Sequence, residues 1–144
     1  MFTRKKLVEY LKEYGVTWAK KLPDDAPPKD ILIAENDASL FRLTKEQNVI
    51  TEDDLKTVYE LRPNSINKKL WWQASGLSTL LTLEDARSMQ KLPSLKKNKG
   101  IAEIKMYPHY GVVLNTPSSH CVNHYTWWQT TSFKLDDVDI HYHS

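Results

Sequence analysis

The 144-residue chain is predicted to be an α+β protein, with an N-terminal helix and a small β-hairpin, a helical middle and a C-terminal antiparallel β-sheet. Three observations predict this. Apolar residues recur at helical spacing near the N-terminus, helix start and stop signals punctuate residues 44–92, and from Gly100 onward the pattern alternates with a period of two. The length is that of one ordinary domain, 1–144, with a helical part over about 1–92 and a β part over about 100–144.

The segment TRKKLVEYLKEYGVTWAKKL places Leu7, Leu11, Tyr14 and Trp18 in one stripe, with Lys6, Glu9, Glu13 and Lys20 away from it. This predicts an amphipathic helix, which Gly15 is able to end. Three prolines make PDDAPPKD a loop. ILIA at 31–34 then reads as a buried strand and ASLFRLT as its hairpin partner across END. Thr51 is a good N-cap with Asp54 at the third helical position, and Ile50 is placed to staple onto Leu55. That helix stops near Pro63, and a second, opened by Asn64 or Ser65, runs through INKKLWWQAS to Gly76. A third begins at Thr82 with Asp85 three residues on and ends before Pro93. The lysines of KLPSLKKNKG read as a solvated connection. Beyond it, IAEIKMY, GVVL, residues 120–133 and DDVDIHYH read as strands.

Composition bounds the function. With 40% hydrophobic and 26% charged residues the chain is globular, and no run reaches the roughly 20 apolar residues of a membrane span. The expected location is cytoplasmic, with no membrane association; the single cysteine, Cys121, agrees with a reducing compartment. Residues 1–100 carry 18 Lys and Arg against 14 Asp and Glu, whereas residues 101–144 carry 2 against 4 and all five histidines. The C-terminal part therefore changes sign when the histidines protonate.

SHCVNHYTWWQ, residues 119–129, concentrates two histidines, the cysteine and two tryptophans. On a strand His120 and His124 share a face but stand roughly 13 Å apart, too far to ligate one ion together. His141 and His143, about 7 Å apart on a strand, are better spaced, but a frayed terminus is the simpler account. No intrinsic metal site and no cofactor are expected. Four scattered glycines make no phosphate loop.

Two candidate working surfaces remain. The first is helical. On the predicted helix through 64–76, Ile66, Leu70 and Ala74 face the core, while Lys68 and Trp72 lie on the far side, flanked by Asn67 and Lys69. The pair of helices is compatible with a helix-turn-helix, yet Glu52, Asp53 and Asp54 at the start of its first helix repel phosphate. The expected function is thus a small intracellular binding or regulatory protein. Its partner-binding residues are Lys68, Lys69, Trp72 and Asn67, with a protein as the first partner, nucleic acid as the second and a homodimer as the alternative use of the aromatic sheet. The second surface carries the alternative function, a metal-independent histidine acid–base ribonuclease or phosphodiesterase, with His109, His120, His124 and Thr126 as catalytic residues.

Overall fold

A computed structural model describes residues 1–143. Eight strands form one antiparallel sheet: β1 (Phe2–Lys6), β2 (Asp30–Ala34), β3 (Ser39–Thr44), β4 (Leu77–Leu80), β5 (Gly100–Lys105), β6 (Gly111–Asn115), β7 (His124–Gln129) and β8 (Ile140–His143). Their order across the sheet is β1-β2-β6-β7-β4-β3-β5-β8. Among the described residues, four α-helices accompany it: α1 (Leu7–Tyr14), α2 (Val58–Leu61), α3 (Trp71–Ala74) and α4 (Leu83–Gln90).

This corrects the predicted α+β division into a helical middle and a C-terminal sheet. The sheet takes strands from the whole length of the chain, including two that the sequence pattern conceals. FTRKK, expected to open a helix, is an edge strand paired with β2 from Phe2↔Ala34 to Lys6↔Asp30. LSTL, expected to link two helices, is β4, held between β3 and β7. Both are too short to show a period, and their ladder partners lie far away in sequence. The hairpin expected from 31 to 44 does not form either: β2 pairs with β1 and β6, and β3 with β4 and β5. Asn36 and Asp37, both at positive φ, turn the chain out of β2, and Ala34 and Ala38 are buried on the way across.

Alternation along the strands separates two cores. One face gathers Leu40, Leu77, Ile104, Val113 and Trp127, closed over by Ile50 and Leu55 from one loop and Phe133 from another. The sheet curls enough for Phe2 to meet Tyr125, three strands away, at 5.7 Å between ring centroids. On the opposite face, Ile31, Ile33, Val112 and Trp128 pack with Tyr10 of α1, and Phe41, Leu80 and Ile101 pack with Ala86 of α4. Trp127 and Trp128 thus face opposite ways and are both essentially fully buried; truncating either to Ala is expected to cost about 3–5 kcal/mol. Gly111, at φ 136°, has no room for a side chain, since a Cβ there would lie 2.1 Å from the Trp128 carbonyl oxygen.

Local helix signals act where the sequence places them. Gly15 ends α1 in the left-handed conformation, its N–H donating to the Leu11 carbonyl, and Trp18 instead bridges to Thr130. Thr82 Oγ1 accepts from the Asp85 N–H at 3.0 Å and opens α4. In the middle, however, helix signals yield only single turns. Residues 45–76 form an excursion between β3 and β4, with 3₁₀ turns at Glu52–Leu55, Pro63–Ser65 and Lys68–Leu70 around α2 and α3. Pro63 and three competing caps, at Thr51, Thr57 and Asn67, divide the segment before any helix reaches three turns.

Candidate functional site

The predicted partner-binding residues are displaced by that division. Trp72, expected to face outward, is half-buried: its ring stacks on Trp128 at 6.3 Å between centroids, and its carbonyl accepts from Trp128 Nε1. Leu70, expected in the core, is 53% exposed. A continuous helix would have put Leu70 inside; the 3₁₀ turn at Lys68–Leu70 rotates it out and delivers Trp72 to the sheet. Asn67 Oδ1 caps that turn by accepting from the Lys69 N–H, and Lys68 Nζ sits 5.5 Å from the Trp71 ring centroid. Lys68 and Lys69 remain exposed.

The predicted catalytic residues divide between places. His124, the first residue of β7, and buried Thr126 are joined through Thr116, whose Oγ1 lies 3.0 Å from His124 Nδ1 and 2.8 Å from Thr126 Oγ1. His120 is exposed on the turn that precedes β7. His109 is exposed in a separate cavity of about 590 Å³, lined by Tyr107, Tyr110, Asp136, Asp137 and Asp139 as well. There Tyr110 donates to Asp137 Oδ2 at 3.0 Å, and burial together with that carboxylate pushes its phenol up to about 12. The four residues do not converge on one reacting atom. His141 and His143, better spaced for chelation but expected to fray, lie on β8, which pairs with β5; the His143 side chain falls outside what the structure describes, and among the described residues no group of three or more His, Cys, Asp or Glu is placed to hold a metal.

What the structure does assemble lies under the excursion. Arg42, on β3, is held by two backbone carbonyls: Nε donates to Asp54 at 2.7 Å and Nη1 to Ser78 at 2.5 Å. Burial pulls its guanidinium down to about 10, opposed by the charge of Asp54, so it stays cationic at neutral pH. Beside it opens a cleft of about 480 Å³ whose wall includes Lys45, Lys56, Arg62 and Lys97. Five cations thus meet two carboxylates, Asp53 and Asp54.

Both carboxylates are weaker opponents than the sequence implies. Asp54 is buried, with Oδ1 accepting from the Lys45 N–H and Oδ2 from the Thr51 N–H, each at 2.9 Å. It closes the predicted cap, and backbone donors take up both of its carboxylate oxygens. Asp53 reaches Lys45 only at 4.0 Å, with both side chains more than half exposed, a pair worth less than about 1 kcal/mol.

A second, smaller cavity of about 250 Å³ adjoins the cleft, and Arg42, Leu43 and Asn98 line both. Its floor is apolar, with Leu80, Met89 and Leu95, and its polar members are Ser78, Asn98 and His124. Burial, first, and the Arg42 charge hold His124 below the usual imidazole range, so it is neutral at pH 7. Its Nδ1 lies 3.0 Å from the Thr116 carbonyl. A carbonyl only accepts, so the network assigns the proton to Nδ1 and a lone pair to Nε2.

Apart from His124, no residue of the cleft or the pocket is among the predicted site residues. Arg42 and Lys45 belong to a strand and its exit, Lys56 and Arg62 to the excursion, and Lys97 and Asn98 to the lysine-rich connection. The uneven charge of the first hundred residues was the signal for them, but it carries no positions. No family model matches this chain, and no curated protein or solved structure does either. Among the described residues, no helix is long and apolar enough to cross a membrane.

Proposed function

We propose that this chain is a binding protein that holds the phosphate backbone of a single-stranded nucleic acid in the cleft of Arg42, Lys45, Lys56, Arg62 and Lys97. The observation that carries this reading is the excess of cations around an anchored, partly buried arginine. A guanidinium fixed by two carbonyls loses little rotamer freedom when an anion arrives, which lowers the entropic cost of binding. Flanking lysines add the sequence-independent attraction that dominates nucleic-acid affinity.

A strand suits this surface better than a duplex. Reading a major groove requires a protruding helix or a two-stranded ribbon, whereas α2 and α3 are four residues each. A charged groove that follows a flexible backbone is the usual solution for single strands. The partner named first by the sequence, a protein on Lys68, Lys69 and Trp72, has less support, because the Trp72 ring is engaged with Trp128.

The test is fluorescence anisotropy of a labelled 12-nucleotide RNA titrated with the protein at two salt concentrations. Binding is expected to weaken with salt, with a log–log slope of about −0.7 for each phosphate neutralised. Lys56→Ala and Arg62→Ala are each expected to reduce that slope by about 0.7. Salt-independent binding, or none at low salt, would overturn the reading.

A further inference from the structure

The apolar pocket beside the cleft is unused by a ligand that is only a phosphate backbone. We infer that it is a nucleobase subsite, selective for a base that presents an exocyclic amino group, with the attached phosphate lying against Arg42 in the neighbouring cleft. This inference rests on the nucleic-acid reading above and specifies it. Its basis is the juxtaposition of an apolar pocket of about 250 Å³ and a cationic cleft across shared residues Arg42, Leu43 and Asn98. A nucleotide has that same division, a flat weakly polar ring joined to a charged group.

The rim decides which base. His124 donates through Nδ1 to the Thr116 carbonyl, leaving Nε2 as an acceptor on the other edge of the ring. Asn98 donates through Nδ2 to the Leu95 carbonyl at 3.1 Å, leaving Oδ1 with no hydrogen bond among the described residues. His124 therefore presents an acceptor alone, and Asn98 an acceptor beside its second Nδ2 hydrogen. Cytosine offers an amino group at C4 where uracil offers a carbonyl oxygen, although the rings are otherwise of equal size. An acceptor facing that carbonyl is left unpaired, and unpaired partially buried acceptors are costly. The pocket should accordingly favour cytosine over uracil, and adenine by the same logic wherever its larger ring fits.

The neutral state of His124 supports this arrangement, because a protonated imidazole would place a donor at Nε2 and reverse the preference. The charged and titratable groups facing it are Arg42 across the pocket and none on α4, where Met89 is the lining residue; on its own strand and the adjoining loop its neighbours are Thr116 and Thr126.

The experiment uses the whole chain with cytidine 5′-monophosphate, uridine 5′-monophosphate and ribose 5-phosphate in parallel calorimetric titrations, beside the labelled RNA of the previous test. The expected result is cytidine 5′-monophosphate binding at least about tenfold more tightly than the other two, one good hydrogen bond's discrimination. Ser78→Phe fills the pocket from an exposed strand position, and His124→Ala removes the acceptor. Each is expected to bring cytidine 5′-monophosphate down to the uridine value. Equal affinities for all three compounds, or no mononucleotide binding by a protein that binds the RNA, would overturn the subsite and leave the cleft standing. Failure to bind RNA in a salt-dependent way would overturn both.

Discussion

Two clefts on this molecule differ in sign and in how they are built. The cleft under the excursion sets five cations against Asp53 and Asp54. The larger one, beside the Pro108–Tyr110 turn, sets Asp136, Asp137 and Asp139 against Lys105, with Tyr107 stacked on His109 and Tyr110 edge-on to both along its wall. Volume favours the second, but the potential inside decides what enters. An anionic strand is attracted to the first and repelled by the second. Arg42 is fixed in its cleft by two carbonyls and stays cationic against burial with the help of the Asp54 charge, while Asp137 holds a phenol proton and leaves the acidic cleft short of donors.

Arg42→Met is the strongest way to break the contrast. It leaves the Asp54 and Ser78 carbonyls without their charged donor, and the expected loss is about 3 kcal/mol of stability together with RNA binding. Urea denaturation and anisotropy read the two effects. Lys56→Glu combined with Arg62→Glu is expected to weaken RNA binding about a hundredfold, about 2.7 kcal/mol, with the urea midpoint unchanged. The opposite swap, Asp136→Lys with Asp139→Lys, should leave the affinity of the basic cleft intact. Should the swap instead move RNA binding to the acidic side, net charge rather than the anchored cleft would be responsible.

A smaller effect comes from pH. His124 has its folded pKa below its unfolded value, because burial disfavours the imidazolium. Above the unfolded value, near 6.5, it adds no pH dependence. As pH falls below that value the unfolded chain takes up the proton first, so stability declines from about pH 6.5 down to the folded pKa. His124→Gln is expected to flatten that decline in urea titrations at successive pH values. Smallest is Tyr110→Phe, which removes the hydrogen bond to Asp137 for about 1 kcal/mol and leaves RNA binding unchanged.

How much of this was legible in the sequence depended on range. Thr51, Thr82, Gly15 and the alternating strands after Gly100 act over a few residues, and they appear where their local chemistry puts them. Strand β4 was hidden because four residues carry no period and its stability comes from β7, some 45 residues on. Trp72 and Leu70 exchanged places because one 3₁₀ turn changes the phase of every residue after it. The basic cleft was the least legible. Its members come from β3, the excursion and the connection after α4, and only the fold brings Lys97 to Arg42. Asp54 shows the same limit, since sequence gives its charge but not that backbone donors absorb it.

The most direct measurement is an amide chemical-shift map of the labelled protein titrated with single-stranded RNA. Perturbations are expected at Arg42, Lys45, Lys56, Arg62, Lys97 and Asn98, with Tyr107, His109 and Asp136–Asp139 unmoved. Perturbations centred on the acidic cleft, or on Asn67–Lys69 with Arg42 silent, would rule out the basic cleft as the binding site.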